Sequence, residues 1–338
     1  NKAGELLKRV DSGLDAYTAN STTAGAANVE YKYDKNGQVR VTILAAQKDS
    51  QLRYDTSYQL YDKAGRKLAD IGHDGQTIEY KYDQATGRLV ATVRYNNVLT
   101  AAQLTTLNDP LSEVELGSAG FPRPAAHSYD IWQWSIYDSG GRVIETIEGD
   151  GSVTTYFYDQ SDRLVKTMGY FNKLGSGQIT TLISTPPTAV LTPAENGLKD
   201  VIIRTFYDGD GRVIGALNGE GHLSRIIYDS AGQKIQEIAY ANATALGMRS
   251  AGSFDQLLAS FAADAAKDVS IRFVHDGQGL LRFTLDGLGR VSELVYRDGT
   301  NVYANGLVRK TIAYAAPLGS VANYSYATVK AAVALLAS

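Results

Sequence analysis

The residues best placed to do chemistry in this sequence are aspartates at regular spacing. Asp208-Gly209-Asp210-Gly211 carries carboxylates at alternate positions, the arrangement by which short loops hold calcium through oxygen ligands. The bidentate Glu that such a loop needs at its twelfth position is missing, because Gly219 stands there. Equivalent stretches carry Lys63-Ala64 or Gln84-Ala85-Thr86, so the pattern predicts turns and no metal. His73, His127, His222 and His275 are scattered, without the i,i+4 pairing of a zinc helix. No serine sits in a GxSxG elbow, no GxxxxGK[ST] loop occurs, and Gly277-Gln278-Gly279 lies outside any βαβ pattern. With no cysteine, thiol catalysis and disulfides are excluded. No catalytic residue, metal or cofactor is therefore assigned. Paired carboxylates for glycoside hydrolysis would meet only in the fold, so a polysaccharide-acting hydrolase stands as the third reading of function.

The aspartates have a common setting. Tyr-Asp, a short gap, Gly, then Arg or Gln and an apolar run recur along the chain. Complete copies comprise Tyr33, Asp34 and Gly37; Tyr61, Asp62, Gly65 and Arg66; Tyr82, Asp83, Gly87 and Arg88; and Tyr137, Asp138, Gly141 and Arg142. Further copies are Tyr158, Asp159 and Arg163; Tyr207, Asp208, Gly211 and Arg212; and Tyr228, Asp229 and Gly232. Degraded copies start at His275 and Leu285, the second with Arg290. An Asp at the first turn position accepts bonds from backbone N–H groups two residues on, and a Gly at the fourth admits positive φ. Each Asp-x-x-Gly thus reads as the corner of a β-hairpin with a G1 bulge, and each Tyr as the last residue of the incoming strand. Each Arg is expected to pair with a neighbouring Tyr or Asp.

Tyr61 and Tyr82, Tyr137 and Tyr158, and Tyr207 and Tyr228 are each 21 residues apart. A second turn lies within each pair: Gly72-His73-Asp74-Gly75, Gly149-Asp150-Gly151 and Gly219-Glu220-Gly221. Two turns in so short a span leave strands of ordinary length, which predicts an antiparallel meander. A Tyr-x-Asn closes each pair, at Tyr95–Asn97, Tyr170–Asn172 and Tyr240–Asn242, with a fourth copy read at Tyr303–Asn305. Insertions follow the first three, over 98–128, 173–199 and 243–268. Each carries the spacing of a short helix, in Gln103-Leu104 with Leu107, Gln178-Ile179 with Leu182, and Gln256-Leu257 with Phe261. Leu99-Thr100 and Ser253 are expected helix starts.

Fold class follows: mainly β, a repetitive antiparallel β-meander with short helices in the insertions. Residues 1–28 read as an N-terminal extension with a short helix in GELLKRV and a loop from Tyr17. Residues 29–314 read as one repeat domain with paired units of roughly 29–60, 61–130, 131–200, 201–270 and 271–314. Residues 315–338 form a tail with a helix over Val329–Leu336.

Composition narrows the function classes. A formal net charge of −3 and 44% hydrophobic residues in 338 argue against nucleic acid and for a substantial core. No apolar run has the ~20 residues that a membrane-spanning helix needs, so no membrane insertion is expected. The chain starts at Asn1 without an initiator Met or signal-peptide pattern, which reads as a piece of a longer protein with any export signal outside it. Tyrosine is in excess, at 22 against 8 Phe and 2 Trp, as suits a sheet with one buried and one wetter face. Trp132 and Trp134 alternate on one strand face. They are either packed under an insertion or candidate ligand-binding aromatics for sugar rings or a partner protein.

The repeated YDxxGR(L/V) unit, from Val29 to Tyr303, resembles the YD repeat of the RHS/YD-repeat proteins. Relatives in that family include the bacterial RHS polymorphic toxins, the C components of toxin complexes and the teneurins. The resemblance implies a long antiparallel sheet that spirals into a hollow shell, which in the toxins encloses a toxic C-terminal domain; for a chain of about four paired units it implies a long curved or spiralling YD-repeat sheet, a partial β-shell and not a closed container. The DPxGL-like core end and its aspartate cleavage site have no counterpart here; Asp286-Gly287-Leu288-Gly289 sits at a repeat turn. The resemblance makes the chain a structural module of a large exported bacterial protein, secreted or at the cell surface. Its partners are then the flanking repeats and domains of the same polypeptide. The alternative is an adhesion module binding glycans or a host or neighbouring cell surface.

Overall fold

The computed structural model describes residues 8–11, 27–48, 51–298, 301–302, 307–319 and 321–336. In chain order the elements are β1 (Lys8–Asp11), β2 (Ala27–Tyr33), β3 (Val39–Lys48), β4 (Gln51–Tyr61), β5 (Lys67–Ile71), β6 (Thr77–Tyr82), β7 (Leu89–Arg94), α1 (Ala101–Thr106), β8 (Ile131–Tyr137) and β9 (Val143–Glu148). There follow β10 (Val153–Tyr158), β11 (Leu164–Gly169), α2 (Ser176–Ser184), β12 (Val201–Tyr207), β13 (Val213–Leu217), β14 (His222–Tyr228) and β15 (Lys234–Ala243). The remainder are α3 (Leu246–Arg249), α4 (Phe254–Ala259), β16 (Val269–His275), β17 (Leu281–Asp286), β18 (Val291–Val295), the two-residue strands β19 (Arg297–Asp298) and β20 (Asn301–Val302), β21 (Lys310–Ala313) and α5 (Tyr326–Leu336).

The chain divides into two compact units, one of residues 1–153 with 173–193, the other of residues 154–172 with 194–338. In the first, β1 to β9 pair in sequence order, every neighbour antiparallel. In the second, β10 to β18 do the same and β21 pairs with β18. The expected meander is therefore what forms. A register shift falls at each Tyr that enters a Tyr-Asp turn, as at Lys32/Tyr33, Leu60/Tyr61 and Phe206/Tyr207. That is where a bulge belongs when Gly takes the left-handed position, here Gly37 at φ 79°, Gly65 at 83° and Gly211 at 81°. In Asp159–Arg163 the place of Gly is filled by Asp162 at φ 61°, and Asp is among the few residues that tolerate it.

One sheet face carries the core, because buried residues alternate with half-buried or exposed ones along the strands, as in β5, β7 and β8. The insertion helices cover that face. Leu107, Leu182 and Leu257 are buried, the first beside Leu60, Ile71 and Leu99 and the third beside Leu217 and Leu223. Thr100 and Ser253 cap α1 and α4, with Gln103 and Gln256 reaching back to the cap N–H groups. Gln178 accepts likewise from the Gly175 N–H at 3.0 Å.

Three expectations need correction. Lys8–Val10, placed in a helix from sequence, is strand β1, because its backbone is taken up by antiparallel pairing with Ala27–Glu30; residues 4–7 and 17–26 lie outside the described residues. Leu285 does not start a Tyr-Asp unit. It lies in β17, and Asp286–Gly289 is the second turn of its pair, with Gly289 at φ 78°. The second tyrosine is Tyr296, 21 residues after His275, whose hydroxyl donates to Leu281 O at 2.9 Å. Tyr82 and Tyr228 donate likewise to Lys67 O and Val213 O.

The closing tyrosine of the last pair is Tyr314. Its N–H donates to Val291 O as that of Tyr95 does to Thr77 O, and Leu318 N–H then donates to Gly289 O as Leu99 does to Gly75 O. Residues 303–306, where the closure was sought, lie outside the described residues. The tail after Leu318 is thus the fourth insertion. In it α5 buries Val329 and Val333 beside Val274, Phe283, Leu285 and Val291.

Candidate functional site

Two devices recur in the structure, and both are built from polar residues that could have done chemistry. The first is the Tyr-Asp turn. One carboxylate oxygen of Asp62 accepts the N–H groups of Ala64 and Arg66, each at 2.9 Å. The other meets Arg66 Nε at 2.6 Å. Asp159 and Asp208 repeat the pattern with Arg163 and Arg212, and Asp138 bonds both the N–H and the guanidinium of Arg142. Asp34, Asp229 and Asp276 make the same backbone bonds. Asp83 differs because its turn is one residue longer, and its carboxylate takes the Thr86 N–H and hydroxyl instead. Hydrogen bonding favours the charged form. The Arg163 guanidinium and N–H hold Asp159 below the ordinary carboxylate range, and the Arg142 N–H and guanidinium do so for Asp138.

Each turn then reaches the next. The Arg66 guanidinium lies over the Tyr82 ring at 4.9 Å, Arg163 over Tyr207 at 4.1 Å and Arg212 over Tyr228 at 4.9 Å. Their tips rest against Gly87, Gly211 and Gly232, where an added Cβ would meet the guanidinium at 3.2, 3.1 and 2.8 Å. Gln38 leans on Gly65 in the same way and donates to its carbonyl at 3.0 Å. Arg88 donates to Asp138 O at 2.9 Å. Arg66, Arg163 and Arg212 therefore pair with their own Asp and also stack on the following Tyr, forming a ladder within each unit.

The second device closes the insertions, and its key residues, Asp130, Asp200 and Asp268, were not singled out from sequence. Asp130 accepts the Asn96 N–H at 2.8 Å with one oxygen and the His127 N–H at 2.9 Å with the other. Asp200 does the same to Phe171 and Asn196, and Asp268 to Ala241 and Asp264. The Asn of each Tyr-x-Asn also donates across the insertion: Asn97 to Ala125 O, Asn172 to Ala194 O and Asn242 to Ala262 O. A faint signal was present, since an Asp followed by Ile or Val stands directly before the strand that follows each insertion.

Of the closure tyrosines, Tyr95, Tyr170 and Tyr240 are buried and Tyr314 is half-buried. Tyr95 donates to Glu79 at 2.5 Å, and Arg123, reaching in from the first insertion, binds both oxygens of Glu79 at 2.6 to 2.9 Å. Burial first and Glu79 second push the Tyr95 hydroxyl pKa well up. Tyr314 repeats the contact with Glu293 at 2.6 Å, and its pKa is pushed up to about 12 by burial and then by that carboxylate.

Trp132 and Trp134 do not form an exposed platform. They are 7% and 0% exposed and stack on each other at 5.4 Å, with the Lys81 ammonium 4.7 Å from the Trp132 ring. Both rings point to the core face, where Trp132 pairs with Val93 and Trp134 with Ala91. Among the described residues no group of three or more His, Cys, Asp or Glu is placed to hold a metal ion. No helix there is long and apolar enough to cross a membrane.

Residues 137–172 match the family model described as the RHS Repeat. Over the fold, the chain is similar to a solved structure of TcdB2-TccC3 without its hypervariable C-terminal region, with a TM-score of 0.49 and 13% identity over 81% of this chain and 11% of that one. A TcdB2-TccC3-Cdc42 structure gives 0.45 and 13% over 83% and 12%, and a TcdB2-TccC3-TEV structure 0.43 and 11% over 88% and 13%. At that identity and score these likenesses carry no functional argument, and the chain spans only 11% of the length of the first. No curated protein matches the sequence. The chain thus carries an RHS repeat at residues 137–172, and the tyrosine-aspartate hairpin within that repeat recurs before and after it.

Proposed function

We propose that the chain is a structural module, a run of RHS/YD repeats that forms part of a shell or surface scaffold in a larger exported bacterial protein. Where the parent carries a toxic domain, this wall encloses it or helps to deliver it. Its partners are the flanking repeats and domains of the same polypeptide, and its task is mechanical, with no reaction of its own. The observation that supports this is the ladder, in which the Arg of one turn is fixed by its own Asp and stacks on the Tyr of the next. Polar groups that a catalytic or metal site would have needed are occupied in holding hairpins to their neighbours, as in a repeat array stabilised by nearest neighbours. Secretion or surface display rests on the family resemblance. The glycan-binding reading lost its aromatic platform when both tryptophans proved buried.

Limited proteolysis of the parent polypeptide tests the wall. The intact protein should shield the segments it encloses, and the double variant Arg66→Ala/Arg212→Ala should expose them to cleavage at protease concentrations that spare the wild type. If the same segments are cut at the same rate in both proteins, the module is not a wall.

A further inference from the structure

The second unit contains an open cleft of about 400 Å³ on the core face of the sheet, whose lining includes Phe157, Asp159, Arg163, Lys166, Arg204 and Phe206. Lys166 on β11 and Arg204 on β12 are direct cross-strand partners. Like charges facing each other across a ladder destabilise a sheet, so this pair needs an explanation. Arg163 is neutralised by Asp159 at 2.7 Å. Lys166 and Arg204 are not: among the described residues neither has a carboxylate within 4.0 Å. Glu195 acts on Lys166 only at longer range. Arg204 spends Nη1 on two backbone carbonyls, Gly252 O at 2.6 Å and Arg249 O at 3.3 Å. The Lys166 ammonium sits 3.9 Å from the Phe157 ring centroid, and the Arg204 guanidinium 4.6 Å from that of Phe206. Burial lowers the pKa of both groups, and in Lys166 the Arg204 charge lowers it further.

We propose that this cleft binds a small organic anion, its carboxylate or phosphate head held between Lys166 and Arg204 and its apolar body along Phe157 and Phe206. The size lies within the range of small-molecule sites, with apolar walls and a few convergent polar groups. A guanidinium already oriented by backbone carbonyls and an ammonium opposite it make a two-point receptor for an oxyanion. An anion between them offsets the repulsion of the like-charged pair. Of the YD arginines only Arg163 borders the cleft, and its charge is taken up by Asp159; the anion is held by Lys166 and Arg204, so the structural role and this site stand or fall separately.

Calorimetric titrations of the purified chain at constant ionic strength, set with chloride, test the site with phenyl phosphate, benzoate and inorganic phosphate. Phenyl phosphate or benzoate should bind saturably and more tightly than inorganic phosphate; whichever of the two is tighter tells which head group the cleft takes. Lys166→Met should weaken binding at least about tenfold, as the loss of one charge-assisted bond implies. In chloride alone it should unfold at or above the wild-type temperature, because the like-charge pair is gone. Lys166→Gln, which keeps a polar tip, provides the second variant should Met disturb folding. No saturable binding by the wild type, or equal binding by a folded Lys166 variant, overturns the proposal.

Discussion

Gly75 is the position at which the second turn of a pair meets the insertion that follows it, and replacing it by Ala separates backbone conformation from contact. The residue lies in the second turn of its pair at φ 82°, and its carbonyl accepts the N–H of Leu99, the second residue of the first insertion. A Cβ at Gly75 would fall 2.5 Å from Leu99 O and 3.0 Å from Leu99 N. Neither is the end of a flexible side chain, so the insertion must shift. Gly65 provides the control. Its φ is 83°, but a Cβ there would meet only the Gln38 amide at 3.4 Å, an ordinary contact. The left-handed conformation costs an L-residue about 1–2 kcal/mol, which both variants should show. Gly75→Ala should lose in addition the Leu99 hydrogen bond, about 1 kcal/mol, and some of the packing of Leu99, which is 3% exposed. We expect a total of about 3–4 kcal/mol against 1–2 for Gly65→Ala. Urea unfolding followed by tryptophan fluorescence gives both values, and amide exchange at Leu99 locates the damage. Equal costs at the two positions would refute the reasoning, since the turn would then not be coupled to the insertion.

Other expectations follow from the same contacts. Asp130→Ala should cost about 2–3 kcal/mol, because two charge-assisted bonds are lost, and should speed exchange at the amides of Asn96 and His127 first. Arg123→Met leaves the buried Glu79 carboxylate with Tyr95 alone. Since Arg123 is itself nearly half exposed, about 2 kcal/mol is expected and not the full 3–5 of a wholly buried pair, read as a fall in urea midpoint. Asp138 and Asp159 are held low by their arginines, and Asp150 is pushed down to about 2 by Lys173 and the Ser152 N–H. A carboxyl depressed in the folded state stabilises above its unfolded pKa near 4, and that stabilisation is lost as pH falls through the folded value. Urea midpoints should therefore be flat between about pH 5 and 9 and fall progressively from about pH 4 toward pH 2. Asp159→Asn should flatten that fall.

What was legible in the sequence was what is local. Asp62, Gly65 and Arg66 explain one another within five residues, so the hairpins and their bulges could be read directly. Thr100 with Gln103 and Ser253 with Gln256 announced helix starts in the same way. Asp130, Asp200 and Asp268 were missed because their partners at Asn96, Phe171 and Ala241 lie some thirty residues back, and a lone Asp before a strand looks like any other. The last pair was misread for a related reason: Asp286–Gly289 has the letters of a first turn, but its strand pairing makes it a second. The cross-strand meeting of Lys166 and Arg204 depends on register, which no local pattern states.

The central claim is that successive Tyr-Asp turns are energetically wired to each other, and a double-mutant cycle between Arg212 and Tyr228 tests it most directly. Arg212 is held by Asp208 in one turn, and Tyr228 enters the next while donating to Val213 O at 3.0 Å. With Arg212→Ala, Tyr228→Leu and the double variant compared by urea unfolding, the account predicts a coupling of about 1 kcal/mol between the two positions. Additivity within about 0.3 kcal/mol would mean that each hairpin stands alone, and the ladder would be only a regularity of shape.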